Sequence, residues 1–128
     1  MKYIAEASPV IYIVDDDEAV RSSLGILAKA QGWQVKLFGS ARAFLHEAGK
    51  LNGCPTCLVV DLQMPQMDGA ELLEYLTAID RMVPTIVLTA RPEGAMASRA
   101  LAAGADQVMS KPCDPVKWLQ AVQSALHR

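Results

Sequence analysis

Three kinds of residue in this chain, Asp, Thr and Lys, stand where four short apolar runs end, and together they could do phosphoryl chemistry. Asp15, Asp16 and Asp17 follow Val10-Ile11-Tyr12-Ile13-Val14, and Asp61 follows Leu58-Val59-Val60. Thr89 follows Thr85-Ile86-Val87-Leu88, and Lys111 stands just past residues 107–109, with Pro112 after it. An acid near a helix start caps the helix and complements its dipole. That accounts for Asp17 and at most one of its neighbours, and it does not explain why Asp61 ends the neighbouring central strand. Two carboxylates about 4 Å apart repel by about 4 kcal/mol at an effective dielectric near 20. Converging acids therefore call for a cation. Oxygen ligands without a nearby His or Cys point to Mg²⁺, or Mn²⁺, rather than zinc. A phosphoryl group drawn to that cation needs its charge met from other sides, by the Lys111 ammonium and the Thr89 hydroxyl. Asp61, an acid on a central strand, is the best-placed nucleophile, since carboxylates form aspartyl phosphates.

The elements that must position these groups are five apolar strands alternating with five helical stretches. The first helix repeats Val20, Leu24 and Leu27 on one face and stops at Gly32. Residues 33–38 alternate in polarity, as an edge strand does. Ser40 is a candidate N-cap for a helix that carries Phe44 and Leu45 and stops near Gly49. Leu58-Val59-Val60 and Thr85-Ile86-Val87-Leu88 are apolar on both faces, which places them mid-sheet. Asp68-Gly69-Ala70-Glu71 matches a capping box, and Leu72, Leu76 and Ile79 continue a buried stripe behind it. A small-residue helix over 95–103 ends at Gly104, and Asp114-Pro115 opens the last helix, with an expected buried face of Val116, Leu119, Val122 and Leu126. Strict βα alternation means a parallel sheet with right-handed crossovers. With strands two and five weakest, the expected architecture is an α/β, flavodoxin-like (βα)5 three-layer sandwich of order 2-1-3-4-5. In such sheets ligands sit beyond the carboxyl ends of the strands, where the acids, Thr89 and Lys111 all fall.

Length and composition limit the rest. With 128 residues the chain suits one domain, 1–128, with residues 1–8 as a short arm. Apolar residues make up 52%, yet the longest apolar string, residues 10–14, is five residues, far below the ~18 a membrane span needs. No basic-then-apolar leader opens the chain, so a membrane role is not expected. Twelve basic and 14 acidic residues give a net charge of −2 without a basic stripe, so direct nucleic-acid binding by this segment is not expected either. Three cysteines without framework spacing fit a reducing cytoplasm.

The chain resembles the receiver domain of two-component response regulators from about Val10 onward. The resemblance is carried by Ile13-Val14-Asp15-Asp16, Asp61-Leu62-Gln63-Met64-Pro65 with Asp68-Gly69, Leu88-Thr89-Ala90, Ala103-Gly104-Ala105-Asp106 and Lys111-Pro112. Each piece is weak alone; in order and at this spacing they are specific. The chain is similar to FixJ-like regulators, which usually carry a helix-turn-helix output domain after the receiver. The resemblance implies Asp61 as phosphoacceptor for a sensor histidine kinase, in a switch that promotes its own phosphorylation and dephosphorylation without being an enzyme. It implies Mg²⁺ on Asp16, Asp61 and the Gln63 carbonyl, with Asp15 acting mostly through water. Thr89 would swing toward the phosphoryl group, Lys111 would pair with it, and the Lys111-Pro112 bond would be cis. A homodimer through the fourth helix, fifth strand and fifth helix is implied too. The chain is expected to be either a stand-alone receiver or a piece of a longer regulator, the FixJ-like likeness favouring a transcriptional regulator whose effector domain lies outside this segment. Val108 stands where the family usually has a switching Tyr or Phe, Cys113 stands where an apolar or aromatic residue is common, and Gln63 and Arg91 occupy positions that tune phosphoryl lifetime.

Other features carry less. Cys54 and Cys57 have redox-motif spacing but lead into a strand instead of opening a helix, so two ordinary thiols are expected. Trp33 and Trp118 read as packing residues, and His46 and His127 as solvent-facing. Arg21, Ser22 and Gly25, on the outer side of the first helix, are expected to meet the kinase. A flavin carrier would need a Ser/Thr/Gly-rich phosphate loop where the three acids stand. An aspartate-dependent phosphohydrolase would need a second acid at Gln63. A docking module that has lost phosphoryl chemistry would not retain Asp61, Thr89 and Lys111.

Overall fold

The structure is a computed structural model that describes residues 8–48 and 56–127. Its elements run β1 (Val10–Val14), α1 (Glu18–Ala30), β2 (Gln34–Phe38), α2 (Ala41–Ala48) and β3 (Thr56–Asp61). Then follow α3 (Gly69–Ala78), β4 (Thr85–Thr89), α4 (Ala95–Ala102), β5 (Gln107–Ser110) and α5 (Pro115–Leu126). The strands form one parallel sheet of order β2-β1-β3-β4-β5, as the alternation of elements requires. Gly49, Cys54 and Pro55 lie outside the described residues, so the expected α2 stop and half of the cysteine pair do too.

Because side chains alternate across a strand, each central strand feeds two cores. Tyr12, Val14, Leu58, Val60 and Val87 pack against Phe44 of α2, Leu72 and Leu76 of α3 and Ala97 and Ala100 of α4. Ile11, Ile13, Val59, Ile86 and Leu88 pack against Leu24 and Ala28 of α1 and Trp118, Ala121 and Val122 of α5. On the first face Tyr12, Phe38 and Phe44 make a ring cluster, with centroids 5.6–6.1 Å apart. Val108 is half-buried at the edge of that face.

Local signals hold the helices in place. Asp17 caps α1 by accepting from the Ala19 and Val20 N–H groups, and Asp68 caps α3 in a complete capping box with Glu71. The Ser40 hydroxyl accepts from Ala43 N–H at 3.1 Å. Gly32 and Gly104 end α1 and α4 at φ +87° and +113°, the left-handed conformation in which a side chain is strained.

Two apolar stripes differ from expectation. Ile79 is 43% exposed because α3 ends at Ala78 and Ile79 is already its C-cap, turned off the core. In α5, Val116 is 61% exposed, and the buried face runs through Trp118, Ala121, Val122 and Ala125. Trp118 has the larger apolar body, so burying it removes more surface from water than burying Val116 and sets the helix's rotation. Both tryptophans pack against the α1/α5 core, Trp118 fully buried, while His46 and His127 are exposed.

Candidate functional site

Asp15 leaves β1 and Asp61 ends β3, adjacent strands whose paired residues keep Val14 opposite Val60. Both carboxylates sit almost wholly out of water, at 1% and 4% exposure, whereas Asp16 is exposed. Carboxylate oxygens of Asp15, Asp16 and Asp61 all lie within 4.8 Å of one another. On the other side β5 delivers Lys111, whose N–H donates to the Thr89 carbonyl at 2.9 Å. The Lys111 ammonium then stands 2.8 Å from Asp15 Oδ2 and 3.4 Å from Asp61 Oδ2. Three distant stretches of chain thus place acids and an ammonium in one pocket at the sheet rim. The Lys111-Pro112 peptide is cis, as expected.

Burial, and next the neighbouring Asp15 charge, push the Asp61 carboxyl up to about 6, against the lowering influence of Lys111 and the Gln63 N–H. Burial alone would lower the Lys111 pKa, but its contacts with Asp15 and Asp61 outweigh that and hold the ammonium above its ordinary value. An ammonium therefore offsets part of the acid crowding and leaves Asp61 with more charge than the pocket favours. An all-oxygen set of three acids, one of them energetically uncomfortable when ionised, fits a hard divalent cation.

The remaining expected site residues are placed less directly. Gln63 is exposed, and its N–H donates to Asp61 Oδ1 at 3.2 Å, so the backbone after β3 folds back on the acid. Thr89 is buried at the end of β4, where its hydroxyl accepts from the exposed Arg91's N–H at 3.0 Å. Cys113 is half-buried beyond Pro112.

Two residues matter more than sequence reading allowed. Gly69 opens α3 against the end of β3, where a Cβ would stand 2.5 Å from the Asp61 carbonyl oxygen and 2.9 Å from Leu62 Cα. Only glycine allows that approach. The Asp-Gly pair that reads as a cap thus also clears space behind Asp61. Arg21 was expected at a docking surface, yet its Nη1 donates to the Asp15 carbonyl at 2.7 Å. Arg21 is half-buried there, and Gly25 is buried, because α1 lies on β2 and brings Leu37 and Val35 within 3.5–3.7 Å of where a Gly25 Cβ would be. Of that expected trio only Ser22 is freely exposed. No sequence signal separates an arginine that reaches back to a carbonyl from one that faces solvent.

Comparison with known proteins agrees with this geometry. The family model for the response regulator receiver domain matches residues 11–123. The chain is 37% identical over 125 residues to response regulator protein TmoT of Ectopseudomonas mendocina, covering 98% of this chain and 56% of that protein. It is 40% identical over 116 residues to the transcriptional regulatory protein FixJ of Rhizobium meliloti, covering 90% and 55%. The chain therefore spans about half the length of the curated relatives it matches. Among solved structures, FixJ-N superposes with a TM-score of 0.86 at 36% identity, over 95% of this chain and 96% of that one. Family match, relatives and sheet order converge: the chain belongs to the response regulator receiver domain family of two-component signalling.

Proposed function

We propose that the chain accepts a phosphoryl group on Asp61 from the phosphohistidine of a sensor histidine kinase. The observation that carries this reading is the nearly buried Asp61 carboxylate, held 3.4 Å from the Lys111 ammonium inside a three-acid cluster. Asp61 is mostly ionised above a pKa of about 6, so at neutral pH it is a carboxylate nucleophile. A carboxylate oxygen forms the new O–P bond as the kinase's P–N bond breaks, and the leaving imidazole keeps the electron pair and takes up a proton. Lys111 neutralises charge on the incoming group, and Thr89, whose oxygen already accepts from Arg91 N–H, keeps its own proton to donate. Asp16, Asp61 and the Gln63 carbonyl are the groups we assign to Mg²⁺, with Asp15 alongside. When bound, the ion offsets the acids' charge so that an anionic donor can approach.

The chain acts as one receiver unit and as a switch, without substrate turnover. Its likeness to longer regulators supports control of an output, transcription included, through a domain beyond this segment. The face of α4, β5 and α5, with Leu101 and Val116 exposed, is the surface we assign to a homodimer. No described helix is long and apolar enough to cross a membrane.

The test is intact-mass analysis after treatment with a small acyl phosphate, with and without Mg²⁺. The native chain is expected to gain one phosphoryl group in Mg²⁺ only, and Asp61→Asn none. Labelling of Asp61→Asn at the native rate would reject the assignment.

A further inference from the structure

Asp15 has no slack. Its N–H donates to the Phe38 carbonyl at 3.0 Å, its Oδ1 accepts from Asp17 N–H at 2.9 Å, and its Oδ2 faces Lys111 at 2.8 Å. Its carbonyl, on a residue 1% exposed, needs a donor. That donor is the Arg21 guanidinium, 2.7 Å away and reaching back from the second turn of α1. The same Nη1 lies 3.2 Å from where a Gly39 Cβ would stand, so Arg21 also packs against the chain leaving β2. The Asp15 carbonyl belongs to the planar peptide unit that leads into Asp16. Holding that oxygen fixes the direction in which Asp16 leaves the strand end.

We propose that Arg21 is a positioning residue for the acid cluster, orienting Asp16 for the cation through the Asp15–Asp16 peptide. This rests on the reading that the cluster holds Mg²⁺. The sign of its effect separates it from a simple charge. A guanidinium near three acids repels a divalent cation, so removing it would tighten Mg²⁺ binding if charge alone mattered. Positioning predicts the opposite.

The probe is Mg²⁺ alone, titrated into the full chain while melting temperature is followed. A small acyl phosphate gives labelling rates over the same Mg²⁺ range, which bypasses any kinase contact. Arg21→Met is expected to raise the half-effective Mg²⁺ concentration about tenfold, as loss of a group that orients a metal ligand does. Its labelling should recover toward the native rate at saturating Mg²⁺. Arg21→Lys, which keeps the charge but shortens the donor, is expected between the two, and it decides alone should Arg21→Met not fold. A half-effective concentration equal to or below the native one overturns the proposal. A native chain that shows neither a Mg²⁺-dependent shift nor labelling at Asp61 removes the underlying reading of the site instead.

Discussion

Replacing Asp61 with Asn is expected to stabilise the metal-free protein. In the fold the Asp61 carboxyl rises from an ordinary 3.8 to about 6, through burial first and the Asp15 charge second. At about 1.36 kcal/mol per tenfold in proton affinity, ionising Asp61 in place costs about 3 kcal/mol more than in the unfolded chain. Asn removes that charge with nearly the same shape. It also gives up the 3.4 Å ion pair with Lys111, although Lys111 stays paired to Asp15 at 2.8 Å. A net gain of about 1–2 kcal/mol is expected, or roughly 4–8 °C in melting temperature for a domain of this size. The pH dependence has a definite sign. An acid whose pKa is raised in the fold binds more protons folded than unfolded between 3.8 and about 6, so native stability falls as pH rises through that window. Above it the cost is complete. The advantage of Asp61→Asn should therefore be full at pH 7.5 and shrink toward pH 4. Mg²⁺ should stabilise the native chain and leave the variant nearly unchanged. Thermal melts in chelator at pH 4.5, 6 and 7.5 are the measurement. A variant less stable than the native chain at pH 7.5, or an advantage that does not change with pH, would refute the charge-crowding argument.

Two further outcomes follow from geometry. Gly69→Ala puts a methyl 2.5 Å from the Asp61 carbonyl oxygen, so it should cost about 2–3 kcal/mol in urea unfolding and slow Asp61 labelling; a loss under about 0.5 kcal/mol would mean the α3 start relaxes freely. Burial, and then Asp106, hold the Cys57 thiol up to about 12, so at pH 8 the folded protein should alkylate there about a thousandfold more slowly than a free thiol, and labelling at the free rate would contradict that burial.

The strand order, the two-sided burial of β3 and β4 and the caps at Asp17, Asp68 and Asp114 were legible because they rest on local pattern. Side-chain period and capping chemistry involve residues within a few positions of each other. Errors came where a helix's rotation about its axis, or the point at which it ends, mattered. Val116 and Ile79 carry the right spacing, but the bulk of Trp118 turns α5, and the end of α3 at Ala78 releases Ile79. Spacing cannot weigh one apolar side chain against another across a packed interface.

By itself the sequence determined which residues end each parallel strand, because alternation makes the sheet and the sheet's carboxyl edge collects whatever follows. Asp15, Asp16, Asp61, Thr89 and Lys111 were therefore bound for one rim. Only the tertiary structure decided how those groups share charge: Lys111 lies nearer Asp15 than Asp61, Asp61 is held above its ordinary acidity, and Arg21 turns inward to the Asp15 carbonyl. Those outcomes depend on distances of a few ångströms and on exclusion of water, and both arise only once strands far apart in the chain are packed side by side.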